Sequence, residues 1–244
     1  MKEKKPPWKI PKEWPGETAV IIGGGPSLRK EDVEYAKSRG WRRVVCNNAY
    51  VLDPEADVLV WGDRRWYDWN KHDLRRHVGT YKVTWQSMNP VVGYKFHVLA
   101  YVDQPPVLRQ LLMDISRYEE GSKELKRAME QAAQMSGKLL AEDPGTVAAT
   151  NTGQGAINVA YHFGAIRIVL LGFDMRSIKI DGRRRLQWHN FHHRETELSR
   201  YREIFAPAIR VQAAVLRTKS VEVVNCTPDS ALRGVPIVGL ADLC

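Results

Sequence analysis

Ala19-Val20-Ile21-Ile22-Gly23-Gly24-Gly25-Pro26-Ser27-Leu28 decides the fold. Four apolar residues, rich in β-branched types, read as a short buried strand over Thr18–Ile22. Three glycines end it abruptly. Glycine has no side chain and tolerates positive φ, so the chain can turn sharply and bring backbone N–H groups close to an anion. Pro26 fixes the exit, and Ser27 is placed to cap a following helical turn. The expectation is a phosphate- or nucleotide-binding turn at the carboxyl end of a first strand. The alternative is a tight strand-to-helix turn with no ligand. The stretch is not a dinucleotide fingerprint, because Leu28 stands where G-x-G-x-x-G needs its third glycine. No Lys-Ser/Thr pair follows, so it is not a P-loop either.

Outward from this turn, helix-forming residues fill 31–39 and Gly40 stands at the expected C-cap. A second strand, 43–46, ends in Asn47-Asn48-Ala49-Tyr50. Two amides there can bond a base or ribose, or make an Asx turn. A third strand, 57–61, runs into Gly62-Asp63-Arg64-Arg65-Trp66. Asp63 then faces the crevice of the glycine turn, as a ligand for ribose, metal or acceptor, or as a loop cap. The segment Trp66-Tyr67-Asp68-Trp69-Asn70-Lys71-His72, with Arg75, Arg76 and His77 beyond, reads as helical: a lid, an acceptor wall or aromatic packing. Residues 81–85 and 95–102 are shorter strand candidates, and 107–118 and 119–141 have helical character. The region of about 86–145 reads as a variable helical insertion over one edge of the sheet.

The second informative stretch is Ala149-Thr150-Asn151-Thr152-Gly153-Gln154-Gly155-Ala156-Ile157. Thr152 can cap a helix that begins near Gly153 and stops at Gly164. The small residues Gly153, Gly155 and Ala156 would let a ligand lie on its first turn, where free N–H groups and the helix dipole favour an anion. The alternative is close helix–strand packing. Ile157, Ala160 and Tyr161 are expected to face the sheet. A strand over 166–171 leads to Gly172-Phe173-Asp174-Met175, which gives Asp174 the position Asp63 has after its own strand. Residues 176–186 are polar and basic and read as an active-site loop. Then come His189, His192 and His193, three histidines in five residues and the best candidates for acid–base chemistry. Adjacent His192 and His193 cannot easily share one zinc ion, and no cysteines are near, so no metal site is assigned. A long helix, 195–218, is expected to kink or split at Pro207, and a last strand, 221–224, ends at Asn225.

The 244 residues suffice for one sizeable domain, 18–244, preceded by an extended Pro/Trp arm, 1–17. Trp8 and Trp14 of that arm are expected to pack on the domain surface or on a neighbouring subunit, so a homo-oligomer stays open. A hydrophobic share of 43% is ordinary, no apolar run is long enough to span a membrane, and the charged amino terminus does not resemble a secretory signal. Three cysteines without metal-ligand spacing suit a reducing cytoplasm, and Cys46 and Cys226 read as buried thiols. The net charge of +9 favours an anionic partner: nucleotide, nucleic acid or anionic glycan. Its positive residues are scattered and carry no nucleic-acid motif.

The glycine turn, Asn47, Asn48, Asp63, Thr152, Gly153, Asp174 and Asn225 all follow a strand or open a helix. In an open parallel sheet such places share one crevice. The expected fold is therefore α/β, a Rossmann-like open, mainly parallel sheet with helices on both faces and a helical insertion. A transferase acting on a nucleotide-activated donor is the economical reading.

The order Ile-Ile-Gly-Gly-Gly-Pro-Ser-Leu, Asn47-Asn48-Ala49-Tyr50, Thr152-Gly153 before a helix ending Phe163-Gly164, Leu170-Leu171-Gly172-Phe173-Asp174, a histidine segment and Cys226-Thr227-Pro228-Asp229-Ser230-Ala231-Leu232 resembles the bacterial sialyltransferases that use CMP-sialic acid. It also resembles the superfamily containing archaeal 6-hydroxymethyl-dihydropterin pyrophosphokinase, and most closely a set of phage and prophage proteins. The resemblance covers roughly 18–65 and 148–235.

The sialyltransferase resemblance implies that Gly23, Gly24, Gly25, Pro26 and Ser27 lie along the donor phosphate and ribose. Asn47 or Asn48 would contact the nucleotide, with Thr152 and Gly153 flanking the donor. A histidine of 189–193, His192 or His193 before His189, would be the general base of an inverting displacement with no obligatory metal. The family's tyrosine pair is absent from 176–188. Lys179, Arg183, Arg184 and Arg185 stand there instead and can neutralise phosphate charge. The pyrophosphokinase resemblance implies ATP and Mg²⁺ held by Asp63 and Asp174. A non-catalytic nucleotide- or DNA-associated phage protein is the third class, and a steep salt dependence of DNA binding would mark it.

Overall fold

The computed structural model describes residues 8–86, 95–180, 182–189 and 197–243. Its centre is β1 (Thr18–Ile22), in which Ala19, Val20, Ile21 and Ile22 are all fully buried. Burying each of the three larger side chains contributes about 2 kcal/mol. β1 lies between β2 (Arg42–Cys46) and β8 (Arg167–Leu171), parallel to both, with Ile22 opposite Val45 on one side and Leu171 on the other. β3 (Val58–Trp61), β4 (Tyr81–Thr84) and the two-residue β5 (His97–Val98) extend the sheet beyond β2. β11 (Glu222–Asn225) closes the far side against β8. Among the described residues the order is thus β11-β8-β1-β2-β3-β4-β5, with every neighbouring pair parallel.

Chain direction along the sheet reverses at β1, since the chain leaves it towards β2 but later returns to its other side as β8. That is the switch point where parallel α/β sheets open a crevice at their carboxyl ends. Alternate residues face opposite cores. Ala19, Ile21, Val44, Val58 and Val60 meet one helical layer, while Val20, Ile22, Val45, Leu59 and Trp61 meet the other. Helices α1 (Lys30–Ser38) and α2 (Arg64–Asn70) supply the second layer. The first is built from α5 (Thr152–Phe163) and α7 (Ala206–Thr218), with α3 (Pro106–Arg117) and α4 (Lys123–Gln134) packed outside them. The fold is α/β and Rossmann-like, with helices on both faces.

Several local expectations change. Among its described residues, the region 86–145 reaches the sheet edge only through β5. Its helices instead thicken one face, where Leu108, Leu112, Ile115 and Leu125 join the core. Residues 95–102 make two separate short strands, β5 and β6 (Ala100–Tyr101), and β6 pairs with β7 (Thr146–Val147) outside the main sheet. Trp14 does not sit on the surface. It is 1% exposed, stacks on Phe163 at 4.0 Å, and its N–H donates to the Phe163 carbonyl at 2.7 Å. Trp8 stacks on His97 at 3.9 Å. Pro207 does interrupt its helix. A three-residue turn, α6 (Leu198–Arg200), and a π-turn over Tyr201–Phe205 precede α7, in which Pro207 stands at the start. Proline lacks the N–H and crowds the carbonyl four residues back, so the ladder widens before it.

Candidate functional site

Beyond the carboxyl ends of β1, β2, β3 and β8 lies a cleft of about 960 Å³. Gly23, Gly24, Gly25, Asn47, Asn48, Asp63, Thr152, Gly153, Asp174 and His189 all line it. The strand ends bring together residues spread over most of the chain. Asn225 is fully buried elsewhere, and its Oδ1 accepts from the Thr227 amide at 3.1 Å. His192 and His193 lie outside the described residues.

The glycine turn is joined closely to β8. Gly23 N–H donates to Leu171 O and Gly25 N–H to Gly172 O, both at 2.8 Å. Of the three glycine amides, Gly24 N–H alone has no acceptor among the described residues. An added Cβ on Gly23 would lie 2.8 Å from Gly172 O, and one on Gly25 would lie 2.5 Å from the same oxygen and overlap Asp174 Oδ2. These two glycines are therefore needed for close approach of one strand end to the other, not for an open anion nest. Ser27 does not cap α1, whose N-cap is Arg29 without a side-chain bond. Its N–H and hydroxyl instead donate to Asp174 Oδ1 and Oδ2 at 3.2 and 3.0 Å. Burial pushes the Asp174 carboxyl above its ordinary value, against the lowering effect of the Ser27 bonds. The turn holding Asp174 is braced from behind, because Phe173 N–H donates to Thr227 Oγ1 at 2.9 Å and Ser230 Oγ donates to Phe173 O at 2.6 Å.

Helix α5 aims its first turn into the cleft. Its cap is Asn151, one residue earlier than expected, and Asn151 Oδ1 accepts from Gln154 N–H at 3.0 Å. The first amides of a helix have no intrahelical acceptor. Those of Thr152 and Gly153 have none among the described residues and stand at the cleft wall. Gly153 is small because the Phe173 ring edge lies 2.7 Å from its added Cβ position, and Gly155 because the Trp85 indole fills its Cβ position. Close packing is thus the reason for both glycines. Trp85 also occupies the Cβ position of Gly62, so its indole sits wedged between two glycines under the cleft.

The two asparagines after β2 differ. Asn47 has φ of +50°, a left-handed conformation that asparagine tolerates better than most residues. Its Nδ2 donates to Thr152 Oγ1 at 3.3 Å, and its Oδ1 is buried with no donor among the described residues. Asn48, 7% exposed, joins the Trp66 indole N–H at 2.7 Å and His189 Nε2 at 3.2 Å. Asp63 caps α2, accepting from Arg65 N–H at 2.8 Å, while still lining the cleft. Trp66 and Tyr67 of α2 pack into the core beside Trp61, whereas Trp69 stays 44% exposed at the cleft.

The chain matches no protein-family model, no curated protein and no solved structure.

Residues 176–180 and 182–188 form order of their own. β9 (Ile178–Ile180) and β10 (Arg183–Arg185) make an antiparallel hairpin. Lys179, Arg183 and Arg184 are exposed and Arg185 is half-buried, and none of the four lines the cleft. Among the described residues, the arginines that do are Arg64, Arg65, Arg176 and Arg200. Beyond the hairpin the chain folds onto the glycine turn: Trp188 N–H donates to Gly24 O at 3.1 Å, and Gln187 Nε2 donates to Tyr201 OH at 3.1 Å. Sequence reasoning missed Trp85, Gln187, Tyr201 and Arg200 as cleft residues. The glycines at 62 and 155 were visible, but the residue that fills their missing Cβ volume is fixed only by the tertiary fold. Cys46 lines the cleft too, with burial pushing its thiol up to about 12, and Cys226 is pushed up to about 11. Both are unreactive as thiolates at neutral pH.

Proposed function

We propose that the chain is a nucleotide-dependent transferase, a sialyltransferase-like glycosyltransferase that takes a nucleotide-activated sugar into this cleft. The observation that carries the reading is the meeting, at the switch point of the sheet, of two helix amides (Thr152, Gly153) and the buried Asn47 Oδ1, each without a partner among the described residues, in one polar cleft. Free amides at the start of a twelve-residue helix suit a phosphate, and a buried acceptor suits a hydroxyl or amino group of the nucleoside. Arg64, Arg65, Arg176 and Arg200 add positive charge around the same volume.

In this mechanism the acceptor hydroxyl gives its proton to a histidine of the 189–193 segment, of which His189 is the described member and lines the cleft. The oxygen's electron pair forms the new bond to the anomeric carbon. The old bond to phosphate oxygen breaks, and the nucleotide leaves with that electron pair. Its charge is met by the α5 amides and Arg176. Asp174 gives both oxygens to Ser27, and Asp63 caps α2. These carboxylates already have structural partners, which favours transfer without an obligatory metal over the Mg²⁺-dependent pyrophosphoryl transfer that would draw on them.

The test is a thermal-shift panel with CMP, CDP, UDP, GDP, ATP and ATP–Mg²⁺ on the parent and on Gly24→Val. A ligand at a hundred times its Kd stabilises by about 2.7 kcal/mol. Stabilisation by CMP or CDP without metal, lost in Gly24→Val, is expected and names the donor class. Stabilisation by ATP–Mg²⁺ alone replaces the reading with pyrophosphoryl transfer. No shift with any nucleotide overturns the assignment of the cleft.

A further inference from the structure

The chain Trp66–Asn48–His189 fixes more than position. An indole nitrogen can only donate a hydrogen bond. Its partner at 2.7 Å must therefore be the amide oxygen of Asn48, and this decides which way the amide points. The amide nitrogen then faces His189 Nε2 at 3.2 Å. An amide NH₂ also only donates, so Nε2 must offer a lone pair, and the proton of the neutral ring belongs on Nδ1. Trp66, Asn48 and His189 are 3%, 7% and 8% exposed, so bulk water competes little for these bonds.

We propose that Trp66 is a positioning residue that acts through Asn48 to hold His189 as a neutral imidazole with its lone pair on Nε2. The consequence for catalysis rests on the transferase reading above: the one lone pair of the neutral ring accepts from the Asn48 amide, so His189 takes a proton from an acceptor hydroxyl only when that hydroxyl displaces the amide at Nε2. The tautomer itself does not depend on that reading. The arrangement gives the Trp66 indole a reason to be a tryptophan beyond its packing against Trp61 and Tyr50.

The experiment is nitrogen-15 NMR of the histidine rings in the full chain, at alkaline pH where a ring is neutral. His189 is assigned by the signals lost in His189→Gln. The parent should show a pyridine-type Nε2 and a pyrrole-type Nδ1 for His189. Trp66→Phe removes the indole donor and frees the amide, so both nitrogens should move towards the mixed values of a free imidazole. Asn48→Asp keeps an oxygen for Trp66 but places a second oxygen opposite His189. The two nitrogen types should then exchange, with Nε2 becoming the donor. A pyrrole-type Nε2 in the parent overturns the proposal, as does a Trp66→Phe spectrum identical to the parent's in a variant that still unfolds cooperatively. If Trp66→Phe does not fold, the parent spectrum and Asn48→Asp decide between the same outcomes. Failure of the functional reading looks different: the tautomer is as stated, yet His189→Gln transfers sugar as fast as the parent.

Discussion

At Gly25 an added methyl group would overlap the Asp174 carboxylate and lie 2.5 Å from the Gly172 carbonyl, whereas at Gly24 it would meet only the tip of the flexible Gln187 side chain, also at 2.5 Å. The neighbouring glycines should therefore respond oppositely. Gly25→Ala must part β1 from β8 or displace Asp174 from Ser27, and should cost about 1–3 kcal/mol in urea unfolding, the range for forcing extra volume into a packed site. Gly24→Val should unfold near the parent's midpoint and lose its response to nucleotide. Equal loss of stability in both would show that the turn is purely a packing device. Two buried histidines make a second prediction. Burial holds the His77 and His162 rings down at about 4, from an ordinary 6.5. The folded chain keeps them neutral while the unfolded chain takes up protons below about 6.5, so stability falls as pH drops from there to about 4, by up to about 3 kcal/mol per ring. His162→Gln keeps a polar group opposite Asn158 and removes the titration. Its unfolding free energy should therefore drop by about 2 kcal/mol less than the parent's between pH 7 and pH 4.5. The same drop in both proteins would remove His162 from the account.

At the scale of elements, the amino end of α5 is where stability and binding can be separated. Asn151→Ala removes the bond to Gln154 N–H and should cost about 1 kcal/mol in urea unfolding. Asn151→Asp keeps an accepting oxygen and favours the helix dipole, so it should keep parental stability, but its charge sits beside the Thr152 and Gly153 amides and should weaken stabilisation by a nucleotide. An aspartate variant that binds as well as the parent would move the phosphate away from α5. Element type was legible in the sequence wherever one local cause sufficed. The buried β-branched run of β1, the left-handed Gly164 after α5 and the proline at the start of α7 each state their own consequence. What the sequence left open were contests between neighbours. Asn151 and Thr152 are both good caps, and the competition is settled by Thr152 Oγ1 accepting from Asn47, more than a hundred residues away. Ser27 likewise gives up a capping role for a bond to Asp174.

Across the whole molecule, the site residues legible in the sequence were those that follow strands, because a parallel sheet gathers all its carboxyl ends at one face. The illegible ones, Trp85, Gln187, Arg200 and Tyr201, reach the cleft from an outer strand end, the return beyond a hairpin, the short α6 and a π-turn, whose approach depends on how the layers pack. The same dependence makes the amino-terminal segment part of the core. Trp14 is stacked between the Phe163 ring and the Arg42 guanidinium, which lies 5.9 Å from its ring, and Arg42 in turn is held by Glu17 at 2.6 Å and Asp57 at 3.3 Å. This group ties the end of α5 to the starts of β1, β2 and β3, at the edge of the sheet opposite the cleft. Trp14→Ala leaves a large cavity there and should destabilise the chain by about 3–5 kcal/mol. Because the change is remote from the cleft, any fraction still folded should bind nucleotide with the parent's affinity, measured by calorimetry well below the midpoint of unfolding. Parental stability in Trp14→Ala would return the segment to the status of a surface arm. Normal stability with lost binding would instead place Trp14 in communication with the cleft through α5.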